Sequence, residues 1–366
     1  MGEHDQNEVQ QLDASMKTSK VTLREWEWFS PQQPPFRVTG LPWFGEEGLY
    51  RRLPQQPPEQ IRPEVDRLAD YPTGAQLRFA TDSPKLAVQV ELAAPAGMYQ
   101  MPATGQCGID CYMGPIGNMT YVGTAKFAAD AAAYEAVLFD GAAAEWREVT
   151  LNMPLYQGVR RITVGLASTA GLRPFAGFAS GKRVLLYGTS ITHGACATRP
   201  GMAYPNVLSR MFPIEFVSFG FSGNAQGEPG VARLIAGVDE PALLVLDYEG
   251  NTPSTERLSV SLPEFISIVR ERHPEVPILV ISQIPLARES YDGDMLRRRL
   301  ERKHIQLATV ERLCAAGDSN VHFCDGESLL GADWHECTTD GIHPSDLGYY
   351  RIAHALRPII AGLLRW

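Results

Sequence analysis

At 366 residues, the chain is long for a single domain, and its length predicts two domains. A hydrophobic content of 44% with 20% charged residues is ordinary for a soluble globular protein. The net charge of −9 argues against a nucleic-acid partner or an anionic membrane surface, because proteins that bind those polyanions carry a basic excess.

The amino-terminal segment is polar and acidic. Residues 1–6 have neither the basic residues nor the apolar stretch of a secretory signal, and no window of the chain reaches a membrane-spanning length. We therefore expect a cytoplasmic protein without a membrane partner, in which residues 1–19 form a disordered lead-in. The six cysteines are scattered through a large chain, so we expect free thiols and predict neither a metal nor another cofactor.

Residues 20–172 are predicted to form an antiparallel β-sandwich. Apolar and polar residues alternate from Leu86 to Leu92, which is the period-two pattern of a half-buried strand. Turn-forming residues separate similar runs at residues 77–80, 108–113, 119–127, 134–139, 146–151 and 161–166. The aromatic residues that cluster at positions 26–50 suit a platform for a sugar ring or, in the interpretation that we favour, a core or an interdomain seam.

A hinge at residues 167–174 precedes a change of periodicity. Over residues 173–366, short apolar runs alternate with segments of helix length, such as 262–272 and 294–316. The apolar runs predict five buried strands, at residues 184–187, 216–219, 243–246, 278–281 and 321–323. This alternation indicates an α/β domain with a parallel sheet and helices on both faces. The basic run from Arg297 to Lys303 lies on a predicted helix and is interpreted as a solvated face.

The first of these five strands leads into the candidate nucleophile. The stretch 183–194 (RVLLYGTSITHG) is an apolar run that ends in a glycine, followed by three hydroxyl residues, an imidazole and a second glycine. Such a run passes a reactive side chain to a loop at the carboxyl edge of a sheet. We identify Ser190 as the candidate nucleophile.

A serine hydroxyl needs a base, and the base needs a carboxylate that orients it. Asp340 and His343 lie three residues apart, so one tight turn can present both side chains on the same side. Pro344 disfavours a helical conformation at His343 and suits the start of a following helix. His193 is too close to Ser190 in sequence to be the favoured base and is predicted to cap or line the pocket.

Two further strand ends carry groups that suit an oxyanion hole. Residues 219–224 (FGFSGN) and 246–252 (LDYEGNT) each follow an apolar strand-like run, so both should reach the edge where Ser190 lies. Gly223 can present a bare backbone N–H and Asn251 a side-chain amide. Asp247 and Glu249 beside Asn251 are interpreted as residues that hold hydrogen bonds of the loop.

The four blocks, in this order, resemble the SGNH (GDSL-type) hydrolase superfamily. The resemblance implies a three-layer, flavodoxin-like α/β domain with a five-stranded parallel sheet. It implies Ser190 as nucleophile, His343 as base and Asp340 as its orienter, with the Ser190 N–H, the Gly223 N–H and the Asn251 amide as oxyanion donors. The chain differs from the usual pattern in Thr189, where the family commonly has aspartate, and in Ser218, where asparagine is frequent.

The amino-terminal half strengthens the resemblance. Residues 40–54 and 151–156 are similar to the SGNH subgroup that carries an amino-terminal jelly-roll domain, which itself resembles a carbohydrate-binding module. This subgroup includes sugar esterases and acyltransferases of natural-product pathways. The predicted division is therefore a jelly-roll-like domain over residues 20–172 and a catalytic domain over residues 173–366.

Other side chains near the carboxyl-terminal block have two interpretations each. Trp334 and His335 suit the rim of the pocket, although Trp334 can equally pack the loop. His335, Cys337, Asp340 and His343 could together bind a metal, but they lack the spacing typical of a zinc site. A metal there would occupy His343, so this alternative competes with the Ser–His–Asp triad, which we favour.

The leading functional hypothesis is a serine enzyme that acts on an ester or thioester of a small molecule through an acyl-enzyme. It is an esterase if water is the acceptor, and an acyltransferase if a hydroxyl of a sugar or natural product is. A third hypothesis is a non-catalytic carbohydrate-binding protein in which the SGNH fold is only a scaffold. The residues do not indicate the acyl group, the acceptor or the oligomeric state.

Overall fold

The computed structural model describes residues 12–13 and 26–366, where the chain forms three β-sheets. The predicted lead-in at residues 1–19 lies outside this part of the chain, except for Leu12 and Asp13. The two amino-terminal sheets have the strand orders β1-β9-β4-β7 and β10-β3-β8-β5-β6, and β2 also pairs with β3. Their strands are β1 (Trp26–Phe29), β2 (Arg37–Thr39), β3 (Gln76–Thr81), β4 (Lys85–Leu92), β5 (Asp110–Met113), β6 (Thr120–Thr124), β7 (Ala133–Asp140), β8 (Arg147–Asn152), β9 (Val159–Ala167) and β10 (Leu172–Arg173).

All strand pairs in these two sheets are antiparallel, as the alternation predicted. Leu86, Val88, Val90 and Leu92 of β4 are buried, and they share one core with residues of β3 and β8 from the other sheet. The short strands β1, β2 and β10 were not predicted, because β1 and β2 lie in the aromatic stretch and β10 lies in the predicted hinge. Short edge strands form through pairing with a neighbour and carry little periodicity of their own.

The third sheet is parallel and has five strands in the order β12-β11-β13-β14-β15. This is the flavodoxin-like order, which confirms the predicted α/β fold. Its strands match the five apolar runs of the sequence: β11 (Arg183–Gly188), β12 (Glu215–Gly220), β13 (Pro241–Asp247), β14 (Ile278–Ile281) and β15 (Val321–Cys324). Ligands of such sheets bind beyond the carboxyl ends of the strands, beside the strand where the order reverses, which here is β11.

Helices cover both faces of the parallel sheet. The helices are α1 (Phe44–Glu47), α2 (Pro63–Ala69), α3 (Ala103–Gln106), α4 (Ser190–His193), α5 (Tyr204–Ser209), α6 (Pro229–Ala236), α7 (Thr255–Arg272), α8 (Gly293–Ala315) and α9 (Asp346–Leu364). Alternate residues of β11 point to opposite faces, so Leu186 packs with α5 and α9, whereas Leu185 packs with α6 and α7. No helix among the described residues is apolar over a length that would cross a membrane.

The amino-terminal region also packs against the parallel-sheet part. Leu53 and Val65 lie in the core beneath α6 and α7, and Trp43 packs on Phe219 of β12 with ring centroids 6.3 Å apart. Phe36 lies in the sandwich core instead. These contacts support the interpretation of the aromatic cluster as core and seam. The domain limits at residues 20–172 and 173–366 stay a prediction.

All six cysteines are free thiols, as expected from their scatter. Five of them are buried, and Cys314 on α8 is exposed. Burial raises the pKa of the Cys107 thiol to about 11, and it raises that of Cys111 further, with a smaller contribution from the neighbouring Asp110. These two thiols of the sandwich are therefore protonated, apolar core residues.

Candidate active site

The central strand β11 ends between its two neighbours at the carboxyl edge of the parallel sheet. Gly188, its last residue, pairs with Gly220 of β12 on one side and with Asp247 of β13 on the other. The N–H of Phe221 donates to the Gly188 carbonyl at 2.8 Å, and the N–H of Thr189 donates to the Asp247 carbonyl at 3.1 Å. The two loops that follow β12 and β13 therefore lie on either side of Ser190. We call residues 221–224 the glycine loop and residues 248–252 the asparagine loop.

Ser190 is the first residue of the short helix α4. Thr189 caps this helix, because its backbone is extended and its side-chain oxygen accepts from the Ile191 N–H at 3.3 Å. Gly194 ends the helix with a φ of 99°, a left-handed conformation that favours glycine. A threonine thus supplies the capping oxygen at the position where the SGNH pattern commonly has aspartate.

Ser190, His343 and Asp340 form one chain of hydrogen bonds. The Nε2 atom of His343 lies 2.9 Å from the Oγ atom of Ser190, and its Nδ1 atom lies 2.7 Å from Oδ2 of Asp340. The Ser190 residue is 8% exposed, and the side chains of His343 and Asp340 are each 18% exposed. The three side chains are therefore screened from bulk water but open to a substrate.

The turn at residues 340–343 holds the acid against the imidazole. Oδ1 of Asp340 accepts from the backbone N–H of Ile342 at 3.0 Å and from that of His343 at 2.8 Å. Burial raises the pKa of the Asp340 carboxyl, but the hydrogen bonds from His343 and Ile342 outweigh burial and hold the pKa below its ordinary value. An ionised Asp340 favours a proton on Nδ1 of His343, which leaves Nε2 able to accept the proton of Ser190.

The two loops bring the predicted oxyanion donors to the same edge of the sheet. Gly223 is exposed and has a φ of 69°, a conformation that favours glycine. Asn251 ends a short 3₁₀ turn, Glu249–Asn251, and its buried Oδ1 atom has no hydrogen-bond partner among the described residues. The donor roles of Gly223, Asn251 and the Ser190 N–H stay a prediction.

His193 is fully buried on the inner side of α4. Its Nε2 atom lies 2.7 Å from the Leu155 carbonyl oxygen, its Nδ1 atom accepts from the Ser222 N–H at 3.4 Å, and its ring stacks on Tyr156. Burial and then the nearby Arg52 hold the pKa of His193 well below its usual range. The imidazole is therefore neutral and packs against Tyr156. The role of His193 as a residue that caps or lines the pocket stays a prediction.

Trp334 and His335 lie on the 3₁₀ turn Trp334–Cys337. Trp334 packs partly buried against the core beside α9, while 61% of the His335 side chain is exposed. Cys337 is buried, and its sulfur contacts carbonyl oxygens of its own loop. His335 and Cys337 thus do not join Asp340 and His343 in a cluster, so the alternative four-residue metal site is not assembled. The pocket roles of Trp334 and His335 stay a prediction.

Asp247, the last residue of β13, binds the helix that carries Ser190. Its Oδ2 atom accepts from Oγ1 of Thr192 at 3.1 Å, and Thr192 also bonds to the hydroxyl of Tyr204. Burial raises the pKa of Asp247 to about 7, although the hydrogen bonds from Thr192 and Tyr204 lower it in part. The acid thereby ties α4, which carries Ser190, to the end of β13. This agrees with its interpretation as a residue that holds loop hydrogen bonds.

The asparagine loop is clamped by α8. Nη1 of Arg302 donates to the Glu249 carbonyl and Nη2 donates to the Thr252 carbonyl, both at 2.9 Å, so one guanidinium holds residues on either side of Asn251. The Glu249 carboxylate is buried and accepts from the Gln283 N–H at 2.7 Å. The interpretation of the basic run as a solvated face is therefore wrong for Arg302, and no local pattern in the sequence distinguishes it from its exposed neighbours.

Arg299 is a second exception in the same run. It is 5% exposed, and its Nε donates to both carboxylate oxygens of Glu289 at 2.8 Å. Arg297 and Arg298 are exposed, as expected of a solvated face. Arg299 and Arg302 thus lie on the inward face of α8, whereas Arg297 and Arg298 lie on its solvated face, as predicted.

Family comparisons match both halves of the chain. Residues 181–361 match a family described as the GDSL-like lipase/acylhydrolase family. Residues 26–172 match a family described as the N-terminus of the SGNH-hydrolase-type esterases. A comparison with curated proteins gives no match.

Solved structures with similar folds cover nearly the whole chain. A protein described as a GDSL-like lipase from Bacteroides ovatus is 27% identical with a TM-score of 0.85, covering 93% of this chain and 98% of its own. A salicylyl-acyltransferase from a tetracycline biosynthetic pathway is 23% identical with a TM-score of 0.73, covering 92% and 97%. A family two carbohydrate esterase from Cellvibrio japonicus is 14% identical with a TM-score of 0.57, covering 93% and 98%.

Proposed function

The chain belongs to the GDSL-like lipase/acylhydrolase family and is an enzyme, and we propose that it hydrolyses a carboxylic ester through an acyl-enzyme on Ser190. The observation that carries the proposal is the chain of hydrogen bonds from Ser190 through His343 to Asp340, at 2.9 and 2.7 Å. These distances fit a nucleophile within reach of its base and a base oriented by a carboxylate.

In the first half of the reaction, Oγ of Ser190 attacks the carbonyl carbon of the ester while its proton passes to Nε2 of His343. The ionised Asp340 stabilises the imidazolium that results. The C–O bond to the leaving alcohol then breaks, and His343 returns the proton to that alcohol. The acyl group remains on Ser190 as an ester.

The negative charge that develops on the carbonyl oxygen needs donors fixed in advance. We assign this role to the backbone N–H groups of Ser190 and Gly223 and to the side-chain amide of Asn251. The position of both loops at the edge beside Ser190 supports the assignment. The firm support of the asparagine loop by Arg302 adds to it, since a preorganised donor costs no rearrangement during the reaction.

In the second half, Nε2 of His343 takes a proton from water as the water oxygen attacks the acyl carbonyl. The bond from the carbonyl carbon to Oγ of Ser190 then breaks, His343 returns the proton to Oγ, and the acid is released. The same acyl-enzyme would serve an acyltransferase if a substrate hydroxyl replaced water. We propose a small-molecule ester, such as an acylated sugar, as the substrate class. Support comes from the carbohydrate esterase and the acyltransferase whose folds the chain shares.

The proposal is tested by labelling and turnover together. A fluorophosphonate probe should modify the protein, and mass spectrometry of the peptides should locate the adduct on Ser190. Ser190→Ala should abolish labelling and lower kcat on a small activated ester by about 10⁴-fold or more. Ser222→Ala, which removes a hydroxyl from the glycine loop, is the matched control and should still be labelled. Turnover retained by Ser190→Ala would overturn the assignment.

Product analysis then separates the two acceptors. Free acid and acylated acceptor are followed together while sugars and polyhydroxylated aromatics are added in turn. Rapid release of free acid that no acceptor alters supports a hydrolase. Slow release that accelerates with one acceptor, with the acyl group appearing on it, replaces the hydrolase by an acyltransferase.

A further inference from the structure

A buried thiol lies beside the Ser–His–Asp chain. Cys196, Asp340 and His343 each offer one ligand atom, and these sulfur, oxygen and nitrogen atoms all lie within 4.8 Å of one another. Cys196 is 2% exposed, whereas the side chains of its two neighbours are open to solvent at 18%. Three ligand atoms of different kinds, a sulfur, an oxygen and a nitrogen, therefore lie close enough together to bind one ion.

The backbone holds Cys196 in an unusual conformation. Its φ is 69°, a left-handed value that residues other than glycine seldom adopt. The loop is fixed on both sides of it, since the Tyr349 hydroxyl donates to the Ala195 carbonyl at 2.7 Å and the Ala197 carbonyl packs against Gly105 of the sandwich domain. A non-glycine residue persists in this region only where its surroundings determine the backbone. The thiol is thus presented to the triad by a firmly held loop.

The chemistry of this ligand set fits one class of ion. A thiolate, an imidazole nitrogen and a carboxylate oxygen are the side-chain ligands of zinc, and three protein ligands with one water make a common tetrahedral arrangement. The sulfur disfavours Mg²⁺ and Ca²⁺, which prefer oxygen ligands. We propose that Cys196, Asp340 and His343 form an inhibitory Zn²⁺ site that overlaps the catalytic triad.

Binding of the ion would form bonds to the Cys196 sulfur, to one oxygen of Asp340 and to one ring nitrogen of His343, while the other ring nitrogen carries the imidazole proton. The thiol proton passes to solvent, because a coordinating thiol is deprotonated. The imidazole can then no longer take the proton of Ser190 while Asp340 orients it, so acyl transfer stops. The binding step stands by itself, whereas the inhibitory consequence rests on the proposed function.

The binding step is tested with Co²⁺, which takes the place of Zn²⁺ and gives a thiolate charge-transfer band in the near ultraviolet. The band should appear with the wild-type protein and with Cys314→Ser, which removes the exposed thiol of α8. It should be absent from Cys196→Ser and from Cys196→Gly. The glycine variant suits the left-handed backbone and so guards against a folding defect. A band that survives both Cys196 variants would overturn the site.

The inhibitory consequence is tested with Zn²⁺ alone. The measured quantity is the Zn²⁺ concentration that halves the rate of each protein relative to its own metal-free rate, and a chelator should restore that rate. Loss of the sulfur ligand in Cys196→Ser should raise this concentration by at least about 10-fold, while Cys314→Ser should match the wild type. Equal inhibition of all three proteins would refute the proposal. Ser190→Ala should still give the Co²⁺ band, because Ser190 is not a ligand of the proposed site. A failure of the proposed function can therefore be distinguished from a failure of the metal site.

Discussion

The two loops that flank Ser190 are held in different ways. The glycine loop is gripped from the sandwich side: Arg52 donates to the Gly220 carbonyl just before the loop, and Arg62 donates to the side chain and carbonyl of Asn224 at 3.0 and 2.6 Å. The asparagine loop is gripped from within the parallel-sheet part, by Arg302 of α8. One side of the site thus depends on contact with the amino-terminal region, and the other does not.

The two arginine contacts therefore hold the two loops to different parts of the molecule. Arg52 is fully buried, and besides Gly220 it donates to the carbonyls of Tyr71 at 2.6 Å and Leu68 at 2.5 Å, with its guanidinium 4.7 Å from the Phe221 ring centroid. Burial lowers the pKa of this guanidinium to about 9, which reflects the cost of placing it there. The Arg52 contacts therefore link folding of the amino-terminal region to the conformation of the glycine loop. The Arg302 clamp, in contrast, lies entirely within the parallel-sheet part.

Removing Arg52 should have the largest effect on stability. Arg52→Met removes a buried guanidinium that donates to three backbone carbonyls, so we expect a loss of about 3–5 kcal/mol in the free energy of unfolding, with a loss of activity. Urea unfolding measures it, with Arg67→Met, an exposed arginine of α2, expected within about 0.5 kcal/mol of the wild type. Equal stability of the two variants would contradict a structural grip of Arg52 on the glycine loop.

Removing the amide of the asparagine loop should have the next largest effect, on kcat. Asn251→Ala deletes one oxyanion donor, so kcat should fall by about 10²- to 10³-fold with little change in KM. Steady-state kinetics on an activated ester measures the loss. Asn224→Ala removes an amide of the glycine loop that is bound to Arg62 instead, and its effect on kcat should be smaller. An unchanged kcat in Asn251→Ala would exclude Asn251 from the oxyanion hole.

Loss of the Arg302 clamp should lower kcat by a smaller factor, on the order of 10- to 100-fold, because the amide of Asn251 is displaced rather than deleted. Arg302→Met tests this, and Arg298→Met on the exposed side of α8 is the control. In the Asn251→Ala background, Arg302→Met should cost almost nothing further, since its effect acts through that amide. Additive losses in kcat would show that Arg302 acts by another route.

The effect on stability that is smallest per unit of the variable changed is its dependence on pH. In the folded protein the pKa of Asp247 is raised to about 7 by burial, so the unfolded chain loses this proton at lower pH than the folded chain does. This contribution to stability is therefore complete at acidic pH and is lost as pH rises to about 7, at about 1 kcal/mol per pH unit. Asp247→Asn should reduce the slope in urea unfolding between pH 5 and 7 by about 1 kcal/mol per pH unit, and the part that remains is expected from Glu249. An unaltered slope would assign it to other groups, such as Glu249, whose pKa burial also raises to about 7.

The comparison of the two loops also shows how far prediction from sequence could go. The five strands of the parallel sheet and the alternation of β4 were predicted, since buried strands repeat with a period that local composition displays. Ser190, Asp340 and His343 were predicted as well, because each lies in a short motif at a strand end or tight turn. Their assembly over 153 positions of sequence follows from the order of parallel strands.

The sequence by itself thus determined the fold class, and its motifs predicted that Ser190, His343 and Asp340 lie together between two loops. Only the tertiary structure decided that Arg52 reaches Gly220 across 168 positions, that Arg302 faces inward and that Cys196 lies beside Asp340. These are contacts of single side chains with distant backbone or side-chain atoms, and no periodicity or spacing records them. They arise when separate elements pack, because buried carbonyls, carboxylates and thiols then take whichever partner the packing brings within reach.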